Sequence, residues 1–141
     1  MRQDPSPDIL RRFGLSAPVL RAETPRASIW EVDRAAGGRA ALKLYDGADM
    51  GNEATGVAYL QQCGGAPAVT ILAACTDAVV MDWLAGPSLG DLARAGDCAA
   101  GDLALAEVAR LLLSRQVPGT GLRPVQQLFA PIGDYPFQSP E

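Results

Sequence analysis

Histidine is absent from this chain, and that one absence removes Ser-His-Asp and Cys-His catalysis, histidine-ligated metals and a histidine general base together. Lysine is nearly absent as well: of twelve basic residues, Lys43 alone is a lysine. The three cysteines, Cys63, Cys75 and Cys98, are odd in number and far apart. With no Cys-x-x-Cys pair to begin a zinc or redox motif, they read as reduced, partly buried thiols. The net charge of −4 lacks the basic excess that neutralises phosphate backbones, which argues against a general nucleic-acid binder. No apolar run approaches the roughly 18 residues that span a bilayer, and no signal-peptide pattern follows Met1. A cytoplasmic protein with no membrane partner is expected.

What remains is a chain of 141 residues, 48% of them hydrophobic, enough for one compact domain that buries roughly 68–70% of its unfolded surface. Residues 1–12 are polar, with Pro5 and Pro7, and read as a lead-in or a short helix over Ile9 to Phe13. From Ala17 to Asp46 the pattern becomes strand-like. Val19–Ala22, Ile29–Val32 and Ala40–Tyr45 are separated by turn-formers at Thr24-Pro25 and Gly37-Gly38, which predicts a three-stranded antiparallel meander. A helix is expected from Asn52 to Gln62, closed by Gly64-Gly65. Two more strands, Ala68–Ala73 and Ala78–Trp83, complete an α+β arrangement of five antiparallel strands with one inserted helix. Ser88 with Asp91 forms a capping box for a short helix. Asp102 can cap a longer helix ending at Pro118-Gly119, and a short helix around Val125–Phe129 precedes an irregular tail.

Within that frame a few residues stand out chemically. Strand alternation places Ala41 and Lys43 on one face, so that a small side chain can lie against a flat ring while an ammonium reaches toward an anion. A lysine suits such a task because it is a compact point charge, whereas an arginine fork favours planar bidentate partners; the bland alternative is a snorkelling surface lysine. Glu53 shares a helix face with Val57 and Leu60. A carboxylate on the stripe that packs against the sheet needs a cation, unless it is a solvated first-turn acid favoured by the helix dipole.

The order of elements, the Ala40-Ala41-Leu42-Lys43 run, Glu53 ten residues later, and the segment Val79-Val80-Met81-Asp82-Trp83-Leu84-Ala85-Gly86-Pro87-Ser88-Leu89 together resemble the amino-terminal lobe of the aminoglycoside phosphotransferase and streptomycin-kinase-like antibiotic kinases. The resemblance implies a protein-kinase-like lobe over residues 1–84, followed over 85–141 by a hinge, a helical connector and the start of a second lobe. It implies ATP as cofactor with Mg²⁺, Lys43 on the phosphates and paired with Glu53, Ala41 against the adenine, and Met81 behind it. It also implies hydrogen bonds to the adenine edge from the backbone of Asp82 and Leu84.

Two departures from the family pattern matter. Thr24-Pro25-Arg26-Ala27-Ser28 stands where protein kinases carry a glycine-rich loop and has no glycine, leaving Ser28 to offer its amide and hydroxyl and Arg26 as a solvated loop charge. The His-Gly-Asp element with an Asn five residues past the Asp, and the later metal-binding Asp, are absent, while Gly101-Asp102 and Gly133-Asp134 read as chance imitations. The expectation is therefore the nucleotide-binding lobe of a small-molecule kinase, inactive by itself, with no catalytic or metal-binding residue of its own. Its apolar helix surface would meet a missing second lobe or another copy of the chain. The alternative is a nucleotide-sensing or interaction module that kept the lobe without the chemistry.

Overall fold

A computed structural model describes residues 4–47, 49–66 and 68–114. The helix expected around residue 127 and Gly133-Asp134 lie outside them. The elements run α1 (Pro7–Phe13), β1 (Leu15–Glu23), β2 (Ala27–Arg34), β3 (Arg39–Tyr45), α2 (Glu53–Cys63), β4 (Ile71–Ala74), β5 (Ala78–Asp82), α3 (Leu89–Arg94) and α4 (Cys98–Ser114). All strand pairings are antiparallel, in the order β1-β2-β3-β5-β4. This is the expected α+β lobe: a meander, then a helix inserted before the last two strands.

Boundaries moved for identifiable reasons. α1 begins two residues earlier than expected because Ser6 caps it, accepting from the Ile9 N–H, with Pro7 in the first turn and Gly14 closing it in the left-handed region. β1 starts at Leu15 rather than Val19, with an irregularity between Ser16 and Val19. Pro18 breaks the sequence pattern there, and the strand tolerates it because β1 is an edge. The fourth strand shrinks to Ile71–Ala74. α4 starts at Cys98, not after Asp102, since Ala99 and Ala100 are strong helix formers and carry the helix back through Gly101. Asp102 is consequently a solvated residue inside the helix. α3 carries the expected capping box, with Ser88 and Asp91 each satisfying the other's backbone amide.

The two faces of the sheet differ sharply. On one, Trp30, Val32, Ala40, Leu42, Ala78 and Val80 form the core, joined by Leu15 and covered in part by Ile9, Leu10 and Phe13 of α1 and its end. The register explains the grouping, because Trp30 lies opposite Leu42 and Leu42 opposite Val80, and directly opposed residues share a face. The other face carries Ile29, Glu31, Ala41, Lys43, Val79 and Met81, and is the side on which α2 lies. No helix among the described residues is long and apolar enough to cross a membrane.

Leu42 is the largest fully buried side chain. Leu42→Ala is expected to lower unfolding free energy by about 2–5 kcal/mol, measured by urea denaturation, whereas Leu113→Ala, at an 87% exposed position, should leave it nearly unchanged.

Candidate functional site

β3 is flanked by β2 and β5, so the side chains that leave it on the groove face are fixed laterally by neighbours on both sides. Ala41 lies opposite Met81 and Lys43 opposite Val79. Beyond the strand, α2 lays Val57 and Leu60 over Ile71 and Val79, leaving a groove of about 240 Å³ that also takes in Lys43, Tyr45, Glu53 and Met81. A second, shallower groove of about 260 Å³ is lined by Ile29, Ala41, Val69, Met81, Asp82, Trp83 and Leu84. Met81 borders both and divides them.

At the mouth of the first groove Lys43 Nζ forms an ion pair with Glu53 Oε2. The Tyr45 hydroxyl donates to the same oxygen at 2.9 Å, and Lys43 Nζ lies 4.9 Å from the centre of the Tyr45 ring. The lysine side chain is 22% exposed and the glutamate 52%. The Lys43 hydrogen bond is the main reason that the Glu53 carboxyl is held below the ordinary carboxylate range; partial burial opposes it, and the Tyr45 hydrogen bond and the charge of Arg26 add to it. Burial, with the neighbouring Glu53 carboxylate, raises the Tyr45 phenol well above its ordinary value. The expected Lys43 and Glu53 side chains are therefore brought together. Tyr45 is the third member, which sequence reasoning missed although alternation from Lys43 puts it on the same face.

The residues expected to form a hinge, Asp82 and Leu84, line the other groove. Asp82 donates its backbone N–H to the Thr70 carbonyl at 3.1 Å, so of its two backbone groups only the carbonyl is left as a candidate contact. Leu84 is 71% exposed and borders the groove. Ser28 is placed elsewhere: it is buried, and its hydroxyl accepts from Trp30 Nε1 at 2.9 Å. That hydroxyl faces the core side, because residue 28 shares parity with Trp30 on β2, and it is not presented to the groove. Glu31 is clamped between Arg21 and Arg39, and Arg39 lies 5.9 Å from the Trp83 ring centre. Among the described residues no cluster of His, Cys, Asp or Glu could hold a metal ion.

A family profile described as aminoglycoside/hydroxyurea antibiotic resistance kinase matches residues 12–137. The chain belongs to this family. The match agrees with the resemblance carried by Lys43, Glu53 and the Met81 segment. The family is one of phosphotransferases. No curated protein and no solved structure matches the chain.

Because Glu53 has a lower pKa folded than unfolded, its pairing stabilises the kinase lobe fully above about pH 4.3 and progressively less as pH falls through the lowered folded value. Urea denaturation across pH 2–7 should show Glu53→Gln losing part of that acid dependence. Tyr45→Phe should cost only about 0.5–1 kcal/mol at neutral pH, since the carboxylate it serves is half exposed.

Proposed function

We propose that the described residues are the nucleotide-binding lobe of an ATP-dependent small-molecule phosphotransferase, with the groove of Ala41, Met81 and Leu84 for the adenine and Lys43 for the phosphates. The single observation that carries this reading is the Lys43–Glu53 pair in one groove, on the same sheet face as the Ala41 and Met81 side chains that line the apolar groove beside it. A purine needs apolar walls above and below and a few hydrogen bonds at its edge. Ile29, Ala41 and Met81, side by side on one face of the sheet, supply one of these walls. The Asp82 carbonyl and the Leu84 amide are the edge groups, neither depending on a particular side chain. Lys43, aimed by Glu53, places one positive charge where a phosphate chain would leave the apolar part.

Phosphoryl transfer is catalysed mainly by positioning and by neutralising charge around the transferred group. Mg²⁺, when bound, would neutralise the phosphate oxygens. Its protein ligands, and a carboxylate to orient the acceptor hydroxyl, are not among the described residues. Leu103, Leu105 and Leu113 of α4 are exposed apolar side chains that a second lobe, or a second copy of the chain, would cover. A lobe that senses nucleotide without turnover fits the same groove, and acceptor-dependent ADP release distinguishes the two.

Binding of ATP and of adenosine, followed by calorimetry or by competition with a fluorescent nucleotide, tests the reading. Lys43→Ala should weaken ATP roughly tenfold, the order expected for a charge-assisted contact in a partly open cleft, and leave adenosine within about twofold. Met81→Gly should change which ring substituents are accepted, and Asp82→Ala should change little. ATP binding indifferent to both Lys43 and Met81 would overturn the assignment.

A further inference from the structure

The turn between β1 and β2 lies next to the end of β3 and the start of α2, the elements that carry Lys43, Tyr45 and Glu53, and a loop covering a phosphate there would need to offer donors. Its backbone has none to spare. The Thr24 N–H goes to the Ala27 carbonyl at 2.8 Å, and the Ala27 and Arg26 N–H groups go to Thr24 Oγ1 at 3.0 and 3.4 Å. Pro25 has no N–H. Thr24 thus closes the turn without a glycine, and in closing it consumes the amides that a glycine-rich loop would direct at an anion.

The donor left in the turn is the Arg26 guanidinium. Its carbonyl is tied to the end of β3 by the Asp46 N–H at 2.9 Å, which seats the residue beside Tyr45. Its side chain crosses to the start of α2, where Nη2 lies 3.0 Å from the point at which a side chain on residue 51 would begin. Gly51, at φ +56°, leaves that space open. Asp49 is close by, but its Oδ1 accepts from the Gly51 N–H at 2.8 Å, and among the described residues Arg26 forms no ion pair. Its charge is nevertheless felt by Glu53 two residues on. Two cations, Lys43 and Arg26, therefore flank one carboxylate that already has a partner.

We propose that Arg26 is the second cation of the phosphate subsite, doing with a guanidinium what the amide-poor turn cannot do with its backbone, so that the groove selects nucleotides carrying a phosphate chain over the bare nucleoside. The inference rests on the nucleotide reading above. A guanidinium presents several donors in a fixed fork that matches phosphate oxygens, and Lys43 alone would be a single point charge. Arg26 acts on binding and orientation.

The test uses the 141-residue chain and compares ATP with adenosine for the parent, Arg26→Ala and Arg26→Lys, with melting temperature recorded for each. ATP binding should weaken roughly five- to tenfold in Arg26→Ala and be partly recovered in Arg26→Lys, while adenosine affinity and melting temperature stay unchanged. ATP affinity should also fall more steeply with salt for the parent than for Arg26→Ala. If Arg26→Ala keeps the parent's ATP affinity, the Arg26 role is wrong and the nucleotide reading stands. Equal weakening of ATP and adenosine would mean that Arg26 only shapes the turn, which also overturns the proposal. Failure of the parent to bind either compound removes the nucleotide reading and this inference together.

Discussion

Lys43 and Glu53 join β3 to the first turn of α2 across the mouth of the groove. α2 is not strongly anchored by apolar burial: Val57 and Cys63 are its buried residues, and Gly56 interrupts its middle. A glycine there costs about 1 kcal/mol of helix propensity relative to alanine. The ion pair, steadied by the Tyr45 hydroxyl, fixes where the first turn of α2 stands relative to β3. A partly exposed pair contributes little to total stability, so its effect is mainly one of placement. Moving α2 by a few ångströms would close the space between Leu60 and Met81 or open it to solvent, with little change in how stably the sheet folds.

That separation of placement from stability follows from the division of the sheet into two faces. The core face holds the fully buried Leu42, Val32 and the Trp30 ring, whose one polar atom is satisfied by Ser28. An indole N–H left without a partner in such a place would cost about 1–3 kcal/mol, so Ser28 is needed there and is unavailable to the groove. The groove face is half covered, and its polar groups are paired in local clusters. Lys43, Glu53 and Tyr45 form one; Arg21, Glu31 and Arg39 form another. The Glu31 carboxyl is held below its ordinary range, first by its hydrogen bond from Arg39 and then by that from Arg21. Charge on this face is thus organised, with the flat apolar strip of Ala41 and Met81 running between the two clusters.

Period-two alternation exposed the strands and the facing of Ala41 and Lys43, and helical spacing exposed Glu53 with Val57. These are short-range rules that survive folding unchanged, as does the Ser88–Asp91 capping box. The role of Ser28 was misread because loop residues were judged by type, whereas parity with Trp30 already assigns residue 28 to the core side. Tyr45 was legible by the same parity, as the next residue after Lys43 on its face of β3. The course of the Arg26 side chain was not legible at all: it depends on the space left by Gly51, twenty-five residues away in sequence, and no local pattern encodes that meeting. The early start of α4 shows the converse, a strong alanine propensity overriding an attractive cap at Asp102.

The remaining constraint is solvent. Both grooves are open on one side, and in an open cleft the attraction between a cation and a phosphate is reduced several-fold relative to an enclosed site, because water raises the effective dielectric and salt screens what remains. One lysine in that setting would hold a phosphate chain weakly. A second cation brings the larger gain when it approaches from another element, since two charges on different elements restrict the direction of the phosphate chain as well as attract it. Lys43 rises from the sheet, and Arg26 comes from the β1–β2 turn beside the end of β3 and reaches the start of α2. Glu53 meanwhile neutralises part of the lysine charge, so the groove is not so strongly positive that any anion would suffice. On the proposed nucleotide reading, selection would rest on the apolar strip and the phosphate end acting on one ligand at once, and neither the strip nor the cations alone would provide it.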